Sequence, residues 1–203
     1  MGILAAFQVI TYGWQRTATT YILRNLVRGD GVFMISDYFY AIRRNLKQGF
    51  IMGVIDCAAL FALGFDLFYF WNAPTTGGNN FMYIMIFALV FIYGVMRFYT
   101  YLMMVTFDMK LSKIFKNALI FTVMGIKRNV MALLGMGVLT GIFAILIIFL
   151  GRLVPAFFIL PFLCLLGFCG FMYTFAAYPV VEKYMIAPPP AKTAQVEAPV
   201  TEE

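Results

Sequence analysis

The sequence predicts an all-α, polytopic membrane helix bundle: four full transmembrane helices preceded by N-terminal interfacial or amphipathic helices. Three observations predict it. Hydrophobic residues make up 63% of the 203 and charged residues only 12%, and the mean hydropathy is +0.89. A soluble domain is about half apolar and about a quarter charged, so this chain has too little polar surface to cover a globule of its size. The apolar residues also collect in runs long enough to cross a bilayer, which takes about 20 helical residues. Finally, the lysines and arginines fall between those runs, where they meet anionic headgroups.

Residues 1–14, MGILAAFQVITYGW, are apolar but shorter than a crossing. They read either as an interfacial or re-entrant piece, or as a longer crossing without its beginning; no basic residue precedes them, so a signal peptide fits poorly. A helix bearing Arg16, Arg24 and Arg28 follows, stopped by the turn dipeptide Asp30-Gly31. Residues 36–48 read as an amphipathic helix capped by Ser36 or Asp37, with Phe39, Ile42, Leu46 and Phe50 recurring at helical spacing. This helix is a collar where the chain enters the membrane, a helix lying in the headgroup plane, or a docking element.

The spans are expected at about 49–71, 81–107, 130–150 and 153–178. The first ends in an aromatic cluster, Phe65 to Trp71, as at a membrane interface. Residues 108–129 form a second basic amphipathic segment, with Leu111, Ile114, Phe115, Ala118 and Leu119 on one face. Pro161 is placed to kink the last span. Residues 1–186 thus make a single membrane domain, and the proline-rich, polar residues 187–203 a disordered tail.

Of fifteen lysines and arginines, six precede Gly49, five lie in 108–129 and two follow Tyr178, leaving Arg97 inside a span and Arg152 in the opposite loop. Such asymmetry orients the basic segments and the C-terminus to the cytoplasm. Arg43, Arg44, Lys47, Lys110, Lys113 and Lys116 are the candidate contacts to lipid headgroups or a partner. The net charge of +6 has no extended basic patch behind it, so nucleic acid is not an expected partner.

Charges inside a bilayer need a partner or a wet cavity. Asp56 sits seven residues into its span, about 10 Å deep, and Arg97 ten residues from the same side of the next, about 15 Å deep. The two spans are antiparallel neighbours, so Asp56 pairs with Arg97, and near the other interface Asp66 pairs with Arg152. One of these pairs lines a solute or ion path, or the charges clamp helix register or snorkel to the nearer interface. Gly49/Gly53 and Gly137/Gly141 match GxxxG, read as internal packing. Cys57, Cys164 and Cys169 lie in apolar runs and histidine is absent, so no metal, cofactor or catalytic set is expected.

The run TATTYILRNLVRGDGVFMISDYFYAIRRNLKQGF, then FYTYLMMVTFDMKLSKIFKNALIF and the closing YPVVEKYMI, resembles the YesL-like integral membrane proteins of bacteria, from about Gly13 to Ile186. Phe39, Asn45, Lys47 and Gln48 match one family signature, Lys116, Asn117 and Ala118 a second, and Lys183 and Tyr184 a third. The chain departs from the pattern at its start, where relatives carry a further full span. The resemblance implies a multi-pass protein of the bacterial cytoplasmic membrane, without assigned chemistry, whose relatives are often encoded beside carbohydrate-uptake systems. Two functions follow as expectations. One is a permease-like protein or an accessory to carbohydrate uptake, working with importer subunits or through self-association. The other is a non-transporting scaffold that recruits a cytoplasmic partner through its basic helices.

Overall fold

A computed structural model describes residues 2–73, 77–150 and 159–186. Within them run seven α-helices: α1 (Gly2–Arg28), α2 (Met34–Arg44), α3 (Leu46–Asn72), α4 (Gly77–Thr106), α5 (Leu111–Met124), α6 (Ile126–Leu150) and α7 (Ile159–Val181). A π-helical turn, Glu182–Ile186, follows α7. Four of them, α3, α4, α6 and α7, are long and apolar enough to cross a membrane, and the protein is an all-α polytopic bundle.

Lipid is the solvent these helices require. Only 6% of the most apolar window of α6 is buried inside the protein; Leu134, Val138 and Phe149 on it are 66%, 65% and 74% exposed. At about 25 cal/mol per Å² of apolar surface, such faces would collapse or aggregate in water. The packed core lies towards one end. On α4 the buried residues run from Val95 to Val105, on α3 from Gly49 to Asp56, and on α7 they include Tyr173, Ala177 and Val181. Stacking of Phe98 on Tyr173, 3.7 Å between centroids, joins α4 to α7. This end also carries α2 and α5 and is here called the basic end; towards the other, α3–α4 and α6–α7 run on as two hairpins.

Each hairpin is entered through a short helix and a break. Asn45 separates α2 from α3 with φ −114° and ψ 26°, and its Nδ2 donates to the Ala41 carbonyl at 3.1 Å. Gly125 separates α5 from α6; a Cβ there would strike the Tyr99 hydroxyl, which holds Asn129 at 2.9 Å. Arg44-Asn45 recurs as Arg128-Asn129, and Met52-Gly53-Val54 recurs at the same offset as Met136-Gly137-Val138. The segment entering each hairpin thus repeats in sequence, although the break falls at Asn45 in one and at Gly125, four residues before Asn129, in the other.

The N-terminal region differs from the sequence expectation. Residues 2–28 form one continuous helix rather than a short apolar piece followed by a second helix. By its mean hydropathy α1 is not among the four apolar helices, yet it packs along α3, α4 and α7. A helix shielded by protein does not need apolar residues all round. Two of its threonines are satisfied locally: the Thr17 and Thr20 hydroxyls donate to the Gly13 and Arg16 carbonyls at 2.7 and 2.8 Å. The helix ends at Gly29, before the expected Asp30-Gly31 turn. Gly29 adopts φ +76°, and the Gly29 and Asp30 N–H groups close on the Leu26 and Asn25 carbonyls at 3.1 and 3.0 Å, a Schellman motif.

Other boundaries shift as well. α2 starts at Met34, and Asp37 caps it from inside by accepting the Phe33 N–H at 2.9 Å. Phe39, Leu46 and Phe50 face outwards, while Ala41, Asn45 and Gly49 face the bundle. The expected single segment 108–129 is α5 plus the start of α6, with Ile114 and Ala118 buried and Leu119 exposed. Pro161 lies in the first described turn of α7, where a missing N–H costs little. The interior proline is Pro179, just before the π-helical turn. Arg152, Pro155 and residues 187–203 lie outside the described residues.

Gly13 is seated on Gly49 and Gly53, so close that a Cβ at Gly53 would lie 2.6 Å from the Gly13 Cα. Gly137 has open space instead. Gly13→Leu is therefore expected to destabilise the protein by at least the overpacking cost of about 1–3 kcal/mol, whereas Gly137→Leu leaves the melting temperature in detergent within about a degree or two.

Candidate functional site

Three helices build one polar cluster at membrane depth. On α4, Tyr93, Arg97 and Tyr101 recur every fourth residue and so share a face. On α3, Asp56 follows the glycine seam, and on α1, Tyr12 precedes Gly13 at the point where the two backbones meet. The close glycine packing thus carries Tyr12 up to Arg97.

Asp56 is completely buried. Its Oδ2 lies 3.0 Å from Arg97 Nη2 and accepts the Tyr101 hydroxyl at 3.3 Å. Its Oδ1 accepts the Tyr93 hydroxyl at 2.8 Å. Arg97 Nη2 also donates to the Tyr12 hydroxyl oxygen, which accepts Arg16 Nε at 3.3 Å as well. The Arg16 and Arg97 guanidinium carbons lie 5.5 and 5.8 Å from the Tyr12 ring centroid. A charge at mid-bilayer costs about 2.5–3.5 kcal/mol on insertion scales; pairing plus two phenolic donors meets that cost for Asp56.

A second buried cation ties α1 to α4. Arg24 donates through Nη1 to the Val105 carbonyl at 2.7 Å and through Nε and Nη2 to Asn25 Oδ1 at 3.2 and 2.8 Å, with Tyr21 stacked 4.6 Å away. Val105 lies in the last turn of α4, where the helix dipole is negative.

The structure brings Asp56 and Arg97 together and leaves Asp66 apart. Asp66 is exposed on α3, ten residues and about 15 Å beyond Asp56, so the two do not share a site; the Asp66–Arg152 pair falls outside the described residues. Arg43, Arg44, Lys47, Lys110, Lys113 and Lys116 are all exposed at the basic end. Sequence reasoning did not single out Tyr12, Arg16, Arg24, Tyr93 or Tyr101 as site residues. The four-residue spacing of Tyr93 and Tyr101 about Arg97 was a usable signal; no spacing rule points from α1 to α4.

Between α1, α4 and α7 lies a small cavity of about 50 Å³, lined by Arg16, Thr19, Arg97, Tyr101 and Thr174 among others. By this measure a water takes about 10–15 Å³, so the space suits a few waters or one small polar group. No protein-family model, curated protein or solved structure matches this chain.

Removing the carboxylate strands Arg97. Asp56→Ala is expected to cost about 3–5 kcal/mol, as for a broken buried pair, and Tyr93→Phe about 1–2 kcal/mol for one lost donor. Chemical unfolding of the detergent-solubilised variants checks that order; equal losses would contradict it.

Proposed function

We propose that this integral membrane protein is an accessory or scaffold that docks a partner at its basic end, and is not by itself a conduit. One observation carries the reading: Asp56, the acid that a path would need, is fully buried and has both oxygens taken by Arg97, Tyr93 and Tyr101. The cavity beside Arg97 is also too small for a sugar to pass. By the positive-inside rule the basic end lies in the cytoplasm. There Phe33, Met34 and Ile35 at the start of α2 are exposed by 77%, 68% and 77%, and Arg43 and Arg44 lie in its last turn. An apolar face beside cations serves a headgroup layer and an acidic partner surface alike. The YesL-like resemblance favours a carbohydrate-uptake system as the setting.

A permease-like role is the second reading. It draws on the hairpin halves away from the basic end, whose side chains are exposed and would have to line a path between copies.

Proteoliposomes containing the protein alone are expected to take up no labelled mono- or oligosaccharide above empty vesicles. Importer subunits are expected to co-purify with the wild type and to be lost from an Arg43→Glu/Arg44→Glu variant that still folds. Uptake by the protein alone would favour the permease-like reading.

A further inference from the structure

We propose that the cleft between Arg16 and Arg97 binds a single oxyanion, a carboxylate or phosphate group, at membrane depth. Charge comes first. Two guanidinium groups donate to one phenol oxygen, that of Tyr12, and so lie close together. Among the described residues the only carboxylate at them is Asp56, which Arg97, Tyr93 and Tyr101 already satisfy. One positive charge is left over in a region where an uncompensated charge is disfavoured.

The donors that remain are the right ones. Among the described residues, Arg97 uses only Nη2, for Asp56 and Tyr12, and Arg16 uses only Nε. Among the described residues no side-chain nitrogen or oxygen is both buried and without a partner, so the unused N–H groups of both arginines are accessible. Both arginines line the cleft. The Thr20 and Thr174 hydroxyls donate to the Arg16 and Gly170 carbonyls, whereas that of Thr19, also on the wall, is free to donate. Two planar guanidinium forks and a hydroxyl form an oxyanion cradle.

Size and surroundings limit the ligand. About 50 Å³ accommodates one carboxylate or phosphate group and excludes a sugar ring. Leu23, Leu102 and Leu166 line the same cleft, and Leu166 is 56% exposed, so the anion can be free or can head an acyl chain.

The test uses the full chain in nanodiscs of phosphatidylcholine. One arm titrates inorganic phosphate and acetate; the other adds oleate or replaces part of the lipid with phosphatidylglycerol. Melting temperature and, for lipid, retention in native mass spectrometry are read. The melting temperature is expected to rise saturably in at least one arm, and the responding arm identifies the source as free or lipid-borne. Arg16→Gln should weaken apparent affinity about tenfold or more, as for loss of a charged hydrogen-bond donor. Arg16→Lys, which keeps the charge and loses the fork, should fall between, and Gly137→Leu, on α6 and outside the cleft, should respond like the wild type. No rise in either arm would overturn the site, as would a rise unchanged in both Arg16 variants.

Discussion

A carboxylate held inside a membrane dictates much of this architecture. Asp56 is wholly buried at a depth where neither water nor lipid solvates an ion, so its neighbours must do so. Arg97 supplies the opposite charge, and Tyr93 and Tyr101 supply two more donors. Those groups come from α4, which fixes the register of α3 against α4: sliding one helix past the other by a turn, about 5.4 Å, would break every bond at once. Nonpolar packing between helices in lipid tolerates such slides far better, because lipid tails replace side chains at little cost.

The same cluster explains why α1 sits where it does. The glycine seam at Gly13, Gly49 and Gly53 lets two backbones touch, and that contact places Tyr12 against Arg97. Nearer the basic end Arg24 repeats the device, donating to a carbonyl in the final turn of α4. Trp14 adds a third tie through its indole N–H to the Leu46 carbonyl at 2.9 Å. A helix with Arg16, Thr17 and Thr20 in its middle is thereby tied to the bundle by polar contacts, while the four apolar helices face lipid. Tyr12 serves two cations with one oxygen, and among the described residues Arg16 has no carboxylate partner.

The fold class was legible in the sequence because length and hydropathy report directly on helices solvated by lipid: α3, α4 and α6 begin within a turn or so of their expected starts. The Asp56–Arg97 contact was legible for a related reason, since antiparallel neighbours joined by a short loop bring equal depths together. α1 was not legible as one helix, because hydropathy is blind to a segment covered by protein. The roles of Tyr12, Arg16 and Arg24 depend on which face α1 turns to α4, and a single sequence carries no record of that. The repeat of Arg44-Asn45 as Arg128-Asn129 is present in the sequence, but the breaks at Asn45 and Gly125 do not occupy matching positions in it. Of the two GxxxG matches, Gly49/Gly53 is filled by α1 and Gly137/Gly141 faces open space, a difference that spacing alone does not encode.

The most direct test of this account is a double-mutant cycle on Asp56→Asn and Arg97→Gln, read by unfolding in nanodiscs. If the two charges neutralise each other and set the helix register, each single change is costly and the double variant is more stable than the sum of the losses implies, by more than about 1 kcal/mol. Losses that simply add would mean that the two side chains act independently, and the clamp at the centre of the bundle would have to be abandoned.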